Sequence, residues 1–224
     1  MVQSNTTNIK MRIRFSKTGT LRFIGHLDFL RVFQQAIRRA GLPIAYSQGF
    51  NPHQIISFAL PLPLGMESIN DYADITLTHA IAPEDIIESL NKNAPVGLVA
   101  TAAYPAVGAA AAAATMVADY TLDVDFEACP ANVLQERING ILSATQVIVA
   151  KKTKSGIKDT DIRPDIIAIE LTKTGISMRL YAGSGRFLNP ITVCKLLLDG
   201  EPSTALMSRV ELYKTCDSKG FVPL

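Results

Sequence analysis

The sequence predicts an α+β fold made of two tandem ferredoxin-like (split βαβ) units with antiparallel sheets. Three observations carry this. Several short runs alternate apolar and polar residues with period two, the runs between them carry apolar residues at three- and four-residue steps, and the order strand, helix, strand, strand, helix, strand occurs and then nearly recurs. The expected boundaries are a basic unit over residues 1–104, an Ala-rich linker over 105–115 and a second unit over 116–224.

In the first unit Lys10 to Ser16 alternates, with Met11, Ile13 and Phe15 on one face and Lys10, Arg12, Arg14 and Ser16 on the other. Lys17-Thr-Gly19 reads as a turn. His26 to Ala40 is a helix with an expected core stripe of Leu27, Leu30, Phe33 (or Gln34) and Ile37. Asp28 suits the positive end of its dipole, Arg38 and Arg39 suit the negative end, and Gly41 is the stop. Ile55 to Leu60 is a short apolar strand. Tyr72 to Thr78 alternates, with Ala73, Ile75 and Leu77 inward and Tyr72, Asp74, Thr76 and Thr78 outward. Pro83 opens a helix to Asn91, and Val96 to Tyr104 closes the unit.

The segment 105–115 ends in an alanine run of low complexity. The second unit starts with a strand that turns Tyr120, Leu122, Val124 and Phe126 inward and Asp119, Thr121, Asp123 and Asp125 outward. Helix Ala131–Gly140, strand Gln146–Lys152, a polar basic turn to Arg163, strands Ile166–Thr172 and Ile176–Ala182, helix Pro190–Leu198 and strand Arg209–Thr215 follow. Asn189 is the cap of the last helix and Gly200 its stop.

Net charge is +2 over 224 residues, but it is unevenly placed. Residues 10–60 carry eight Lys or Arg against Asp28 alone, a net of +7, which leaves −5 for residues 61–224. Such asymmetry points to a polyanionic partner. The open sheet face of the first unit is expected to show Lys10, Arg12 and Arg14 beside Tyr72 and Asp74, suited to phosphates. Packing against an acidic second face bearing Asp119, Asp123 and Asp125 would hide both. Cys129, Cys194 and Cys216 lie far apart with no C-x-x-C spacing, which argues for a reducing cytosol and against a disulfide framework or zinc site. Met1 to Asn8 is polar and lacks the apolar segment of a signal peptide. The uncharged run from Asn93 to Ala118 is broken by Pro95, Gly97, Pro105 and Gly108, so it reads as strand plus linker and not as a membrane span. A cytoplasmic protein without membrane contact is expected.

Residues 22–65 hold the candidate site. His26, His53 and Asp28 are the acid–base candidates, although their spacing matches no metal-ligand pattern. Arg22, Arg31, Arg38 and Arg39 are candidates for phosphate neutralisation, with Arg31, Gln35 and Arg38 on the helix face away from the stripe. The loop from Tyr46 through Gln48, Phe50 and Asn51 to His53 combines aromatics, amides and a glycine, a set a mere connection does not need. Gly183-Ser-Gly-Arg186 ahead of Asn189 has the look of an anion nest, and a tight turn accounts for it equally well.

Phe15-Ser-Lys-Thr-Gly19, Arg22-Phe-Ile-Gly-His-Leu-Asp28, Arg38-Arg-Ala-Gly-Leu-Pro43, Tyr46-Ser-Gln-Gly-Phe-Asn-Pro-His53 and Leu62-Pro-Leu-Gly65 together resemble the bacterial radical SAM-linked protein family, a domain of unknown function found alone or fused behind a cobalamin-binding-type radical SAM protein. The likeness continues more loosely through Lys158-Asp-Thr-Asp-Ile-Arg163 and 183–190, while Ala109–Ala114 matches no family motif. It implies a bacterial protein working with a radical SAM enzyme, on RNA or the translation apparatus. This chain has no C-x-x-x-C-x-x-C triad, so the iron–sulfur cluster and SAM are expected on the partner only. The expected function is therefore an accessory module that holds structured RNA. The alternatives are a metal-independent endoribonuclease using His26 or His53, by analogy with CRISPR repeat-processing ribonucleases of tandem ferredoxin-like layout, and a protein-interaction scaffold without RNA.

Overall fold

Alternation sets the first strand, β1 (Ile9–Lys17), whose Ile13 and Phe15 are fully buried. A 3-10 turn (Gly19–Phe23) leads into helix α1 (His26–Arg39), followed by β2 (Ile56–Phe58), β3 (Glu67–Leu77), α2 (Pro83–Asn93) and β4 (Leu98–Pro105). A short helix α3 (Ala111–Ala114) connects to β5 (Val117–Asp123), α4 (Ala131–Ser143), β6 (Ile148–Thr153) and β7 (Gly156–Asp161). The order then runs β8 (Ile166–Leu171), β9 (Gly175–Gly183), β10 (Arg186–Phe187), α5 (Pro190–Leu198), β11 (Met207–Cys216) and β12 (Gly220–Pro223). The computed structural model describes residues 8–153, 156–200, 207–216 and 220–224, with the side chains of 152 and 153 also outside the description. The polar start of the chain, residues 1–7, therefore lies outside the described residues.

The fold is α+β, dominated by one large, mostly antiparallel sheet with a few helices. Its order is β10-β9-β5-β11-β3-β1-β4, with β2 on β3, β8 on β9 and β12 on β11, while β6 and β7 form a ribbon of their own. The sequence predicts a separate sheet in each half; the halves instead meet edge to edge in one sheet. They do so through a short parallel pairing in which Ser208 and Arg209 of β11 lie against Glu67 and Ser68 of β3.

Both helix pairs cover the same sheet face. Ile13, Phe15, Ala73, Ile75 and Leu77 pack under α1 and α2 with Phe33, Ile37, Ile86 and Leu90. Tyr120, Leu122, Met178 and Leu180 pack under α4 and α5 with Leu134, Ile138, Val193 and Leu197, and Ala59, Leu62 and Met66 of the first half join this second core.

Two sequence expectations are corrected here. The buried stripe of α1 is Phe29, Phe33, Ala36 and Ile37, while Leu27 is 68% exposed. Phe15, Phe29, Phe33 and Phe58 form one aromatic cluster, with Phe33 5.2 Å from Phe15 and 5.3 Å from Phe58 between ring centroids. Burying Phe29 beside Phe33 outweighs burying Leu27, so the helix rolls toward the aromatics. Second, β3 is covered on both faces: Tyr72, Asp74 and Thr76, expected outward, are buried. Ala109 and Ala111 of the segment after β4, Glu211 of β11 and Leu224 reach that face. Arg12, expected on an open surface, is only 2% exposed and donates through Nε and Nη2 to the two Asp74 carboxylate oxygens at 2.7 and 3.1 Å. Its Nη groups also reach the carbonyls of Ala109 and Leu224, and the Ala111 amide donates to Asp74.

Candidate nucleic-acid interface

Arg31, Arg38 and Arg39 remain on the outer face of α1, all exposed. Arg31 donates to Asp28 one turn earlier at 2.8 Å, a pair so solvated that it contributes little and leaves the guanidinium available. Arg39 donates through Nε and Nη2 to the Asn93 carbonyl at the end of α2. Arg38 has no partner among the described residues. Arg22 is different: half-buried, it lies over the Phe23 ring and donates through Nε to the Gly65 carbonyl at 2.6 Å. The Gly65 amide donates back to the Arg22 carbonyl, so Arg22 fastens the Leu62–Gly65 turn to the start of α1.

The Tyr46–His53 loop is braced from within. The Ser47 amide donates to the His53 carbonyl at 2.9 Å, the His53 amide donates to Ser47 Oγ at 3.1 Å, and Ser47 Oγ lies 2.9 Å from His53 Nδ1. Gln54 is buried and its Nε2 donates to the Gln34 carbonyl on α1, which ties the loop base to the helix. Gly49 takes a φ of 122°, a conformation a side chain would strain. Out of this frame Phe50 stands fully exposed, with Tyr46 partly exposed and Gln48 and Asn51 also exposed beside it.

The acid–base candidates are not gathered into one site by any described contact. The half-buried His26 ring meets Phe58 edge-on with centroids 5.6 Å apart, Asp28 pairs with Arg31, and His53 braces its own loop. Among the described residues no three His, Cys, Asp or Glu side chains are placed to hold a metal ion.

A buried polar cluster at the joint between the two halves escaped the sequence reading. Arg209, with no exposed surface, donates to Asp71 Oδ2 at 2.5 Å and to the Leu60 and Pro61 carbonyls. Lys17, 1% exposed, donates to the Ile24 carbonyl at 3.0 Å and lies over the Phe29 ring. Burial pushes its amine below the usual lysine value; Asp71 opposes that shift and Arg209 adds to it. The period-two pattern did hold the signal, because residue 17 follows Met11, Ile13 and Phe15 onto the core face. The cavity beside it has a volume of about 10 Å³, room for one water.

The helix-free face carries a second network. Tyr72 donates to Glu211 at 2.6 Å. Arg179 donates to both Asp119 oxygens at 2.6 and 2.7 Å, Tyr213 donates to Asp119 at 2.7 Å, and the guanidinium lies 4.7 Å from the Tyr213 ring centroid. Burial pushes the Glu211 carboxyl up, and burial with the Asp119 bond pushes the Tyr213 hydroxyl up to about 12. Asp119 is thus matched within its own half and does not face the arginines of β1.

This geometry defines a mixed α+β protein that displays cations on one helix and an aromatic on an adjoining braced loop. The chain belongs to the family described as "Uncharacterized protein conserved in bacteria (DUF2344)", whose model matches residues 10–190. No curated protein matches it. Among solved structures it is similar to a crystal structure of an unknown protein from Galdieria sulphuraria, at 10% identity over 90% of this chain and 97% of that one, with a TM-score of 0.28. No helix among the described residues is long and apolar enough to cross a membrane.

Proposed function

We propose that this chain is a non-catalytic accessory module that holds structured RNA through α1 and the Tyr46–His53 loop. The observation that carries the reading is Phe50, an aromatic held fully in solvent by a loop hydrogen-bonded to itself and to α1. An exposed ring on a rigid base is a stacking platform for unpaired bases, and Gln48 and Asn51 add amide donors and acceptors beside it. Arg31, Arg38 and Arg39 supply positive charge for the backbone, and Arg22 orients the turn next to them. The resemblance of the sequence motifs supports a radical SAM enzyme as the partner that supplies the chemistry. The strand order β4-β1-β3-β2 of the first half supports its reading as a split βαβ unit.

Titrating labelled RNA at rising salt tests this. Three neutralised phosphates give a log–log slope of roughly −2 to −3, and Phe50→Ala weakens binding by about 1–3 kcal/mol without altering that slope. A flat salt response, or an Arg31→Ala/Arg38→Ala variant that binds as well as the parent, overturns the reading. RNA cleavage in EDTA that is lost in His26→Ala would replace it with a nuclease.

A further inference from the structure

The β6–β7 ribbon pairs only with itself. Its register sets Lys151 directly opposite Lys158 and Val149 opposite Thr160, so these four residues share one face, while Asp159 lies on the other opposite Ala150. A lone two-stranded hairpin is marginal, and like charges directly opposite destabilise it further. Both lysines are exposed, and neither ammonium has an ion-pair partner among the described residues. The lysine-bearing face therefore opposes the ribbon's own stability.

That face closes onto a groove of about 310 Å³ whose far wall is β10 and the start of α5. Val149 and Ile162 supply apolar lining, and Phe187, 42% exposed, supplies an aromatic wall. Thr160 and Thr192 add hydroxyls, while Asp165, also in the lining, is already bound by Arg186. A groove with an aromatic wall at Phe187, lined by Lys151 and flanked by Lys158 opposite it, fits a nucleobase joined to phosphates better than it fits an acidic peptide, which offers no ring for Phe187.

We propose that this groove is a nucleotide subsite for single-stranded RNA, with phosphates on Lys151 and Lys158 and a base against Phe187. The inference rests on the RNA-holding reading above and adds a contact region remote in sequence from α1.

Fluorescence anisotropy of the full chain with a labelled oligouridylate, at about 50 and 200 mM salt, tests it. Lys151→Glu/Lys158→Glu is expected to weaken binding roughly 10-fold and to flatten the log–log slope by about 1.4, the share of two phosphates on a single strand. Phe187→Ala is expected to weaken binding at least about 5-fold with the slope kept. Crosslinking of a 4-thiouridine oligomer to the parent, read by peptide mapping, should mark the peptide containing Phe187 whether or not the variants fold. Unchanged affinity and slope in the ribbon variant, or crosslinks confined to residues 46–53, overturn the subsite. If Arg31→Ala/Arg38→Ala abolishes binding and the ribbon variant does not, the subsite falls and the α1 reading stands. The reverse pattern keeps the subsite and removes the α1 surface. Poly-glutamate binding as tight as oligouridylate overturns the nucleotide assignment in favour of an acidic peptide.

Discussion

Arg12 and Arg31 come from the same basic stretch of chain and have opposite fates. Arg12 is enclosed, forked onto Asp74, and capped by two backbone carbonyls, so its charge is matched inside the protein. Arg31 touches only a solvated Asp28. Lys17 and Arg209 fall with the first kind; Arg38, Arg39, Lys151 and Lys158 fall with the second. Counting positive residues therefore overstates the surface available to a polyanion. What decides is whether the side chain lies on a covered face: Arg12 meets the Ala109 and Leu224 carbonyls, Lys17 and Arg209 are buried at the joint, and Arg31 and Arg38 stand on the exposed face of α1.

The sharpest way to break this division is to remove a carboxylate from the enclosed set. Asp71→Ala leaves Arg209 and Lys17 buried without their counter-charge, and a loss of about 3–5 kcal/mol in urea unfolding is expected. A loss under about 1 kcal/mol would mean that these cations reach water and belong with the displayed set.

Lys17→Met tests the same cluster in the other direction, with a gain of about 1 kcal/mol expected near neutral pH because Asp71 keeps Arg209 as partner. The pH dependence has a definite sign. The native amine is lowered by burial, so between that lowered value and the unfolded value of about 10.4 the unfolded chain binds more protons. Stability of the parent therefore rises with pH across that alkaline window, and Lys17→Met should lack this rise when melting is followed against pH.

The smallest effect belongs to the ribbon. Lys158→Thr removes the like-charge opposition to Lys151 and should stabilise the fold by about 0.2–1 kcal/mol while weakening RNA binding. A thermal melt and an anisotropy titration on the same sample separate the two. Destabilisation would show that the pair is not in opposition.

Much of the secondary structure was legible because it rests on local pattern. Helix α5 occupies Pro190–Leu198 as read, with Asn189 Oδ1 accepting from the Ile191 amide, and β5, β8, β9 and β11 fall within a few residues of their alternating runs. The sequence predicts a polar turn where strand β7 lies, since Gly156–Asp161 lacks the apolar alternation that marks a half-buried strand. The depth of β3 and the roll of α1 depend on which segments arrive from elsewhere in the chain, information no window of sequence holds. In the candidate site, exposure of the Tyr46–His53 loop followed from its composition. Its brace through Ser47, His53 and Gln54 did not, because those bonds need the loop's closed shape.

The short parallel seam between β3 and β11 also bears on how the chain comes to be folded. Strand β11 lies between β5 and β3, yet it follows both by many residues in the order of synthesis. Until that late strand is delivered, the facing edges of β3 and β5 have no strand between them. Closure over such sequence distances is slow, and the interval before it is when the nascent protein is most open to pairing with a neighbour.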